Sequence, residues 1–313
     1  MRVLISGGAG FIGSHIADLA LASGNQVAVV DNLASGRREN VPEKAAFYEA
    51  DIRDADAVSS IFGEFRPTHV NHQAAQASVA VSVREPQTDA SVNIIGSLNV
   101  LTACVDNHVQ RIVFASTGGA IYGEVPNGVR AAIETVPAPI SPYACSKFAV
   151  EKYLECFRTQ HGLNYSVLRY ANVYGPRQDP HGEAGVVAIF CNRIMAGQGI
   201  QLNAKRERGD DGCIRDYVFI SDVVNANMAA MEERIPDPVL NVGTGSETTT
   251  LELASILQQH LGQTVEITRS GRRAGDIERS VLNGERLVEL LGETVPIEQG
   301  LRETADWFRH RSA

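Results

Sequence analysis

The chain has 313 residues, enough to bury a large core as one α/β unit or as a large domain with a smaller partner. Its formal net charge of −9 argues against a nucleic-acid partner held by general electrostatics, so an anionic ligand needs locally placed arginines and helix N-termini. Met1-Arg2-Val3-Leu4-Ile5-Ser6 runs straight into glycines, and nothing later supplies about 20 consecutive apolar residues. Neither a signal peptide nor a membrane span is expected, and the chain reads as cytoplasmic. Cys104, Cys145, Cys156, Cys191 and Cys213 form no CxxC pair and are expected to be reduced thiols. The eight histidines show no HExxH spacing, and His181, with two carboxylates on a glycine loop, is too little for a ligand set; no metal is expected.

From Arg2 to about Arg169, short β-branched runs alternate with helical patterns. Strands are predicted at Arg2–Ser6, Gln26–Val30, Ala46–Ala50, His69–His72, Arg111–Ala115 and Tyr165–Arg169. That alternation means βαβ units, and right-handed crossovers make a doubly wound parallel (Rossmann) sheet the expected α/β fold. After Tyr174-Gly175-Pro176-Arg177 the loops lengthen and strands become scarce. Helices are predicted over Val186–Ala196, from Ser221-Asp222, and after Thr250 with Glu252 in the first turn. The expected organisation is a dinucleotide domain over 1–174 and a smaller substrate lobe over 175–313, interleaved with late strands of the sheet.

Gly7-Gly8-Ala9-Gly10-Phe11-Ile12-Gly13 follows the first strand and opens a helix. Gly7, Gly10 and Gly13 allow a tight turn, close approach of backbone to a pyrophosphate, and close helix–strand packing. A second strand ends in Asp31, at the distance expected for a carboxylate on the adenosine ribose. Asp31 favours NAD, because it repels a 2′-phosphate; Arg37 and Arg38 are the counter-signal and read as a solvated turn. Asp51-Ile52, after the third strand, is where an adenine ring would be received.

Ser141-Pro142-Tyr143-Ala144-Cys145-Ser146-Lys147 is the most informative stretch. Ser141 suits an N-cap and Pro142 the first helical position, which puts Tyr143 and Lys147 one turn apart on one face. A free tyrosine is only about one part in a thousand ionised at pH 7, and bringing its pKa to about 7 needs roughly 4 kcal/mol. A lysine cation one turn away, with a positive nicotinamide ring nearby, is a credible source. The pair follows a fifth strand ending in Ser116-Thr117.

With these residues the chain resembles the extended short-chain dehydrogenase/reductases, and within them the UDP-glucose 4-epimerase group. Further matching pieces are Asp31-Asn32-Leu33, His72-Gln73-Ala74-Ala75-Gln76, Asn93 with Gly96, Tyr122-Gly123, Leu168-Arg169-Tyr170-Ala171-Asn172, Arg215-Asp216-Tyr217 and Arg273-Ala274-Gly275-Asp276. The resemblance covers nearly the whole chain. It implies a hydroxyl on the reacting sugar oxygen at Thr117, with Ser116 as the alternative, beside catalytic Tyr143 and Lys147. It implies NAD contacts from Gly7, Gly10, Phe11, Ile12, Gly13, Asp31, Asn32, Asp51, Ile52, Ala74, Ala75, Gln76, Asn93 and Tyr170, with Lys147 also on the nicotinamide ribose. The UDP part would meet Asn172, Arg215, Arg273 and Asp276, and guanidinium groups suit a diphosphate in an acidic protein. Ser280, four places after Asp276, would border the sugar's C2 substituent and leave room for an N-acetyl group.

The implied reaction is 4-epimerisation of a UDP-hexose through a 4-keto intermediate, with NAD regenerated each turnover. Gly118 and Gly119 stand where water-eliminating relatives carry a carboxylate pair, which counts against a 4,6-dehydratase. A hexuronate 4-epimerase or an NAD(P)-dependent reductase is the alternative enzyme, and a sensor without chemistry the non-enzyme reading. A homodimer is expected through the segments Gln87–Asn107 and Pro142–Gln160, where the apolar stripe Val150, Leu154 and Phe157 faces either core or partner.

Overall fold

The computed structural model describes residues 1–180, 185–273 and 276–311; His181, and Ala274-Gly275 of the arginine–aspartate motif, lie outside them. Six strands come in the predicted order: β1 (Arg2–Ser6), β2 (Gln26–Asp31), β3 (Ala46–Glu49), β4 (His69–His72), β5 (Arg111–Thr117) and β6 (Asn164–Tyr170). With a seventh strand, Val239–Val242, outside β6, they form one sheet. From β1 the order runs outward through β2 and β3 on one side and through β4, β5 and β6 on the other. The pairs β1–β2, β1–β4, β2–β3 and β4–β5 are all parallel. The doubly wound fold is therefore present. In such sheets ligands bind beyond the carboxyl ends of the strands where the winding reverses, here at β1 and β4.

Parallel strands covered on both faces read as continuous apolar runs, and Val3, Leu4 and Ile5 are accordingly at most 1% exposed. One core cluster joins Leu4, Val30, Phe62, Val70, Ile112, Phe114, Val150 and Leu154. Helix Phe11–Ala22 starts at Gly10 without a side-chain cap, whereas Ala55–Phe65 is capped by Asp54. Helix Pro142–His161 begins as expected, the Ser141 hydroxyl accepting from the Ala144 amide with Pro142 at the first position, and ends on left-handed Gly162. The predicted helix near Gln87–Asn107 is one continuous rod of three segments. Pro86–Ala90 passes through a π-helical turn, Ser91–Ile95, into Gly96–Asp106.

Two compact units share the chain. Unit one is 1–117, 141–169 and 224–240; unit two is 118–140, 170–223 and 241–313. Unit two contains helices Val186–Met195, Thr250–Leu261 and Ile297–Arg311 and the start of Ile220–Met231. Thr249 and Glu252 form a full capping box, which explains the start signal seen in the sequence. The scattered strands pair locally. Asn172–Tyr174 lies parallel to Tyr217–Phe219, Ile200–Asn203 parallel to Ile267–Ser270, and Ile214–Arg215 lies between Thr248–Thr249 and Arg279–Ser280.

Candidate functional site

The glycine loop has the shape a dinucleotide needs. A Cβ on Gly13 would sit 2.3 Å from the Gly7 carbonyl oxygen, and one on Gly7, whose φ is +72°, 2.6 Å from the Ala74 amide nitrogen. The loop is held closed by Gly10 N–H donating to Gly7 O at 3.2 Å. Beyond it Phe11, Ile12 and Gly13 open the uncapped helix, an N-terminus suited to an anion. Asp31, 8% exposed, accepts from the Ala9 amide at 2.9 Å and from the Leu33 amide at 2.9 Å. Burial raises its pKa while those amides oppose the rise. Arg37 reaches Glu39 at 3.7 Å and Arg38 lies over the Phe47 ring at 4.4 Å, each with a local partner of its own.

Asn32 donates to Asp51 at 2.9 Å, and Asp51 is gripped by Arg53, which holds its carboxyl well below the usual range. Ile52 packs into the core, and a Cβ on Gly96 would strike it at 2.7 Å. Ala74 donates its amide to Ser6 at 3.4 Å, and Ala75 is half-buried. The Asn93 amide zips the Gln76 backbone to the helical rod: Gln76 N–H donates to its oxygen at 2.8 Å and its nitrogen donates to Gln76 O at 3.0 Å.

Tyr143, Lys147 and Thr117 come together at the end of β5. Thr117 is hydrogen-bonded to Tyr143, whereas the Ser116 hydroxyl donates to Glu151 at 2.6 Å. Of the two hydroxyls, Thr117 is the one that faces the tyrosine. Lys147, 3% exposed, donates to Ala115 O at 2.9 Å and lies 4.7 Å from the Phe114 ring centre. Burial and the nearby Asp89 charge push Tyr143 up to about 12, with only the Thr117 bond opposing them. Lys147 is pulled down to about 8 by burial, against Asp89 and Glu151. The burial that raises the tyrosine thus also lowers the lysine one turn away.

Three buried groups around this pair were not read from the sequence. Glu151 accepts from Arg169 at 3.0 and 2.6 Å, an ion pair closed off from solvent. Its signal was present, since it stands four residues after Lys147 on the same helix face. Asp89, 1% exposed, accepts from Gln76 and Asn93, both at 2.9 Å. His72, 1% exposed, lies between Ser6 at 2.6 Å and Ser97 at 2.9 Å. Ser97 spends its proton on Asn93 O, so His72 Nε2–H donates to Ser97 and bare Nδ1 accepts from Ser6. Burial holds its pKa near 3, so the ring is neutral.

In unit two, Tyr170 is buried at the end of β6 and Asn172 opens a strand. Arg215 donates to Ile214 O at 2.9 Å and is paired in register with Ser280. Arg273 and Asp276 form an ion pair at 2.9 Å. Cys213 feels the charges of both Arg215 and Asp276, which places those two near one another. Ser280, 3% exposed, donates its hydroxyl to Gly119 O at 3.1 Å. Asp216, beside Arg215, accepts from the Thr244 amide and hydroxyl and from the amides of Gly245 and Leu282. Gly243–Gly245, just beyond the strand Val239–Val242, is thus a bend tied down by a carboxylate.

Residues 3–243 match the NAD dependent epimerase/dehydratase family. A UDP-glucose 4-epimerase of Mycolicibacterium smegmatis is 42% identical over 320 residues, with all of both chains covered. The Thermus thermophilus UDP-glucose 4-epimerase, solved in complex with NAD, superposes with a TM-score of 0.96 at 52% identity over 99% of each chain. The Thermotoga maritima UDP-glucose 4-epimerase, solved with UDP-glucose, does so at 0.94 and 46% identity over 100% of each. Matched along its length in sequence and in fold, the chain belongs to the NAD-dependent epimerase/dehydratase family.

Proposed function

We propose that this protein is a UDP-hexose 4-epimerase that uses NAD as a bound, regenerated cofactor. The observation that carries the reading is the Thr117–Tyr143 hydrogen bond one helical turn from a buried Lys147, downstream of a loop whose Gly7 and Gly13 leave no room for a Cβ. NAD would be held by Gly7, Gly10, Phe11, Ile12, Gly13, Asp31, Asn32, Asp51, Ile52, Ala74, Ala75, Gln76, Asn93 and Tyr170, and supplies a hydride acceptor and donor. Tyr143 takes the proton of the sugar 4-hydroxyl, with Thr117 orienting that oxygen, and later returns it. Lys147 supplies positive charge to the tyrosine oxygen and a donor to the cofactor ribose. Between the two proton transfers the substrate is a 4-keto sugar, which must turn over while Asn172, Arg215, Arg273 and Asp276 of unit two keep hold of its UDP.

The same reading makes unit two the UDP-sugar lobe and the protein a cytoplasmic homodimer. No described helix is long and apolar enough to cross a membrane. Of the two faces left open for it, the apolar stripe takes the core: Val150 and Leu154 are 1% exposed and Phe157 packs against the same cluster. Support for the dimer rests on Val83, Ile95 and Tyr153, which are 61%, 51% and 40% exposed on helices packed together. Proton NMR of mixtures started from UDP-glucose should show UDP-galactose approaching equilibrium without added NADH. A net, lasting gain of reduced nicotinamide would mean a dehydrogenase and overturn the reading.

A further inference from the structure

Asp89 is buried among neutral hydrogen-bond partners; burial raises its pKa, while the Ser146 and Gln76 bonds, the Lys147 charge and the Asn93 bond oppose the rise. Its Oδ1 accepts from Gln76 and Asn93 at 2.9 Å each, and Ser146 is its third hydrogen-bond partner. Ser146 precedes Lys147, and its one hydroxyl proton has two acceptors within reach, Asp89 and Tyr143 O, the latter at 2.9 Å. A neutral amide at position 89 would accept the same two N–H groups, so hydrogen bonding alone gives no reason for a carboxylate. Burying a charge is costly unless an opposite charge is near. Two acids bear on Lys147, and one of them, Glu151, is already matched by Arg169 at 2.6 Å. The other is Asp89. Among the described residues no carboxylate sits on Lys147 Nζ, whose hydrogen bond goes to the Ala115 carbonyl.

We propose that Asp89 is a positioning residue for the reaction: held by Gln76 and Asn93, its carboxylate is the counter-charge that keeps Lys147 ionised next to Tyr143. The proposal rests on the epimerase reading above. The groups facing the pair are Asp89 from the helical rod, Glu151 with Arg169 behind it, and the neutral His72 from β4. Of these Asp89 alone acts on both members, favouring the charged lysine and disfavouring the charged tyrosine. It therefore bears on both edges of the working pH range, against the larger effect of burial on each group. Removing its charge makes Tyr143 ionise at lower pH and Lys147 lose its proton at lower pH.

Asp89→Asn keeps the shape and the two accepted hydrogen bonds, and its amide can donate to Ser146. The pH profile of kcat/KM for UDP-glucose is expected to move bodily toward acid, by about one unit or more on each limb, with NAD retained. Asp89→Glu, which keeps the charge, should restore the alkaline limb at least in part. Nitrogen NMR of lysine-labelled protein reads the same effect without turnover. Lys147, the buried one of the four lysines, should be cationic at pH 7 in the wild type and titrate lower in Asp89→Asn. Unmoved limbs in a folded Asp89→Asn variant, or a neutral Lys147 in the wild type at pH 7, would overturn the proposal. A wild type that epimerises no UDP-hexose would instead sink the functional reading, while the lysine titration would still decide the Asp89–Lys147 pairing.

Discussion

Tyr143 should ionise in two widely separated pH ranges depending on whether NAD is bound. In the protein alone it stands at about 12 and Lys147 at about 8. On raising the pH the lysine therefore loses its charge first and is no help to the phenolate. With the lysine's charge discounted, that is about one phenolate in 100,000 at pH 7. Working as a base near neutrality requires a drop of about five units, or roughly 7 kcal/mol. A unit charge about 5 Å away at an effective dielectric near 20 supplies roughly 3.3 kcal/mol, so one cation is too little and two suffice. The oxidised nicotinamide ring is the first; once it draws the tyrosine below the lysine, Lys147 stays protonated and becomes the second. The assay is the phenolate absorbance difference between wild type and Tyr143→Phe, titrated with and without NAD. The expected midpoints are above about 11 without cofactor and within about one unit of neutrality with it. A near-neutral midpoint in the NAD-free protein, or one that NAD does not move, would refute the two-cation reasoning.

Gly13→Ala pushes a methyl to 2.3 Å from the Gly7 oxygen, and calorimetry should find NAD affinity weakened by at least about a hundredfold. Glu151→Ala strips the buried Arg169 guanidinium of its carboxylate, and urea unfolding should show a loss of roughly 3–5 kcal/mol. His72 is held near 3 in the fold against 6.5 when exposed, so the unfolded chain takes up the proton first. Stability is present above about 6.5 and is lost as pH falls toward 3, by roughly 5 kcal/mol in all, which unfolding midpoints at pH 7 and 4 will read. Ser280→Tyr should abolish turnover of UDP-N-acetylglucosamine and spare that of UDP-glucose. Equal effects on both sugars would show that position 280 does not border the C2 substituent.

The parts legible in the sequence were those governed by local physics. β1 has the predicted ends because a strand buried on both faces is an apolar run closed by a turn, and Ser141-Pro142 supplies both an N-cap and a first helical residue. The glycine loop was readable because only one residue type fits each of its close approaches. Ile214–Arg215 and Arg279–Ser280 were missed because two-residue strands have no period to detect; register alone makes them strands. Asp89 carries no local mark, since nothing in Pro86–Ala90 shows that its acid is 1% exposed. Spacing gives neighbours along a helix but not the desolvation they share.

The seventh strand of the main sheet has a consequence on the ribosome. Strands β1 to β6 are complete once Tyr170 has been made, yet the strand that covers the outer edge of β6 begins only at Val239. At about 5–20 residues per second, β6 waits about 4–14 seconds with a row of bare amides and carbonyls, including the Val167 N–H that later donates to Pro238 O. A waiting parallel edge is a template for a neighbouring nascent chain. Polysome spacing and chaperone supply, more than the stability of the finished enzyme, should then govern how much of it a cell obtains in soluble form.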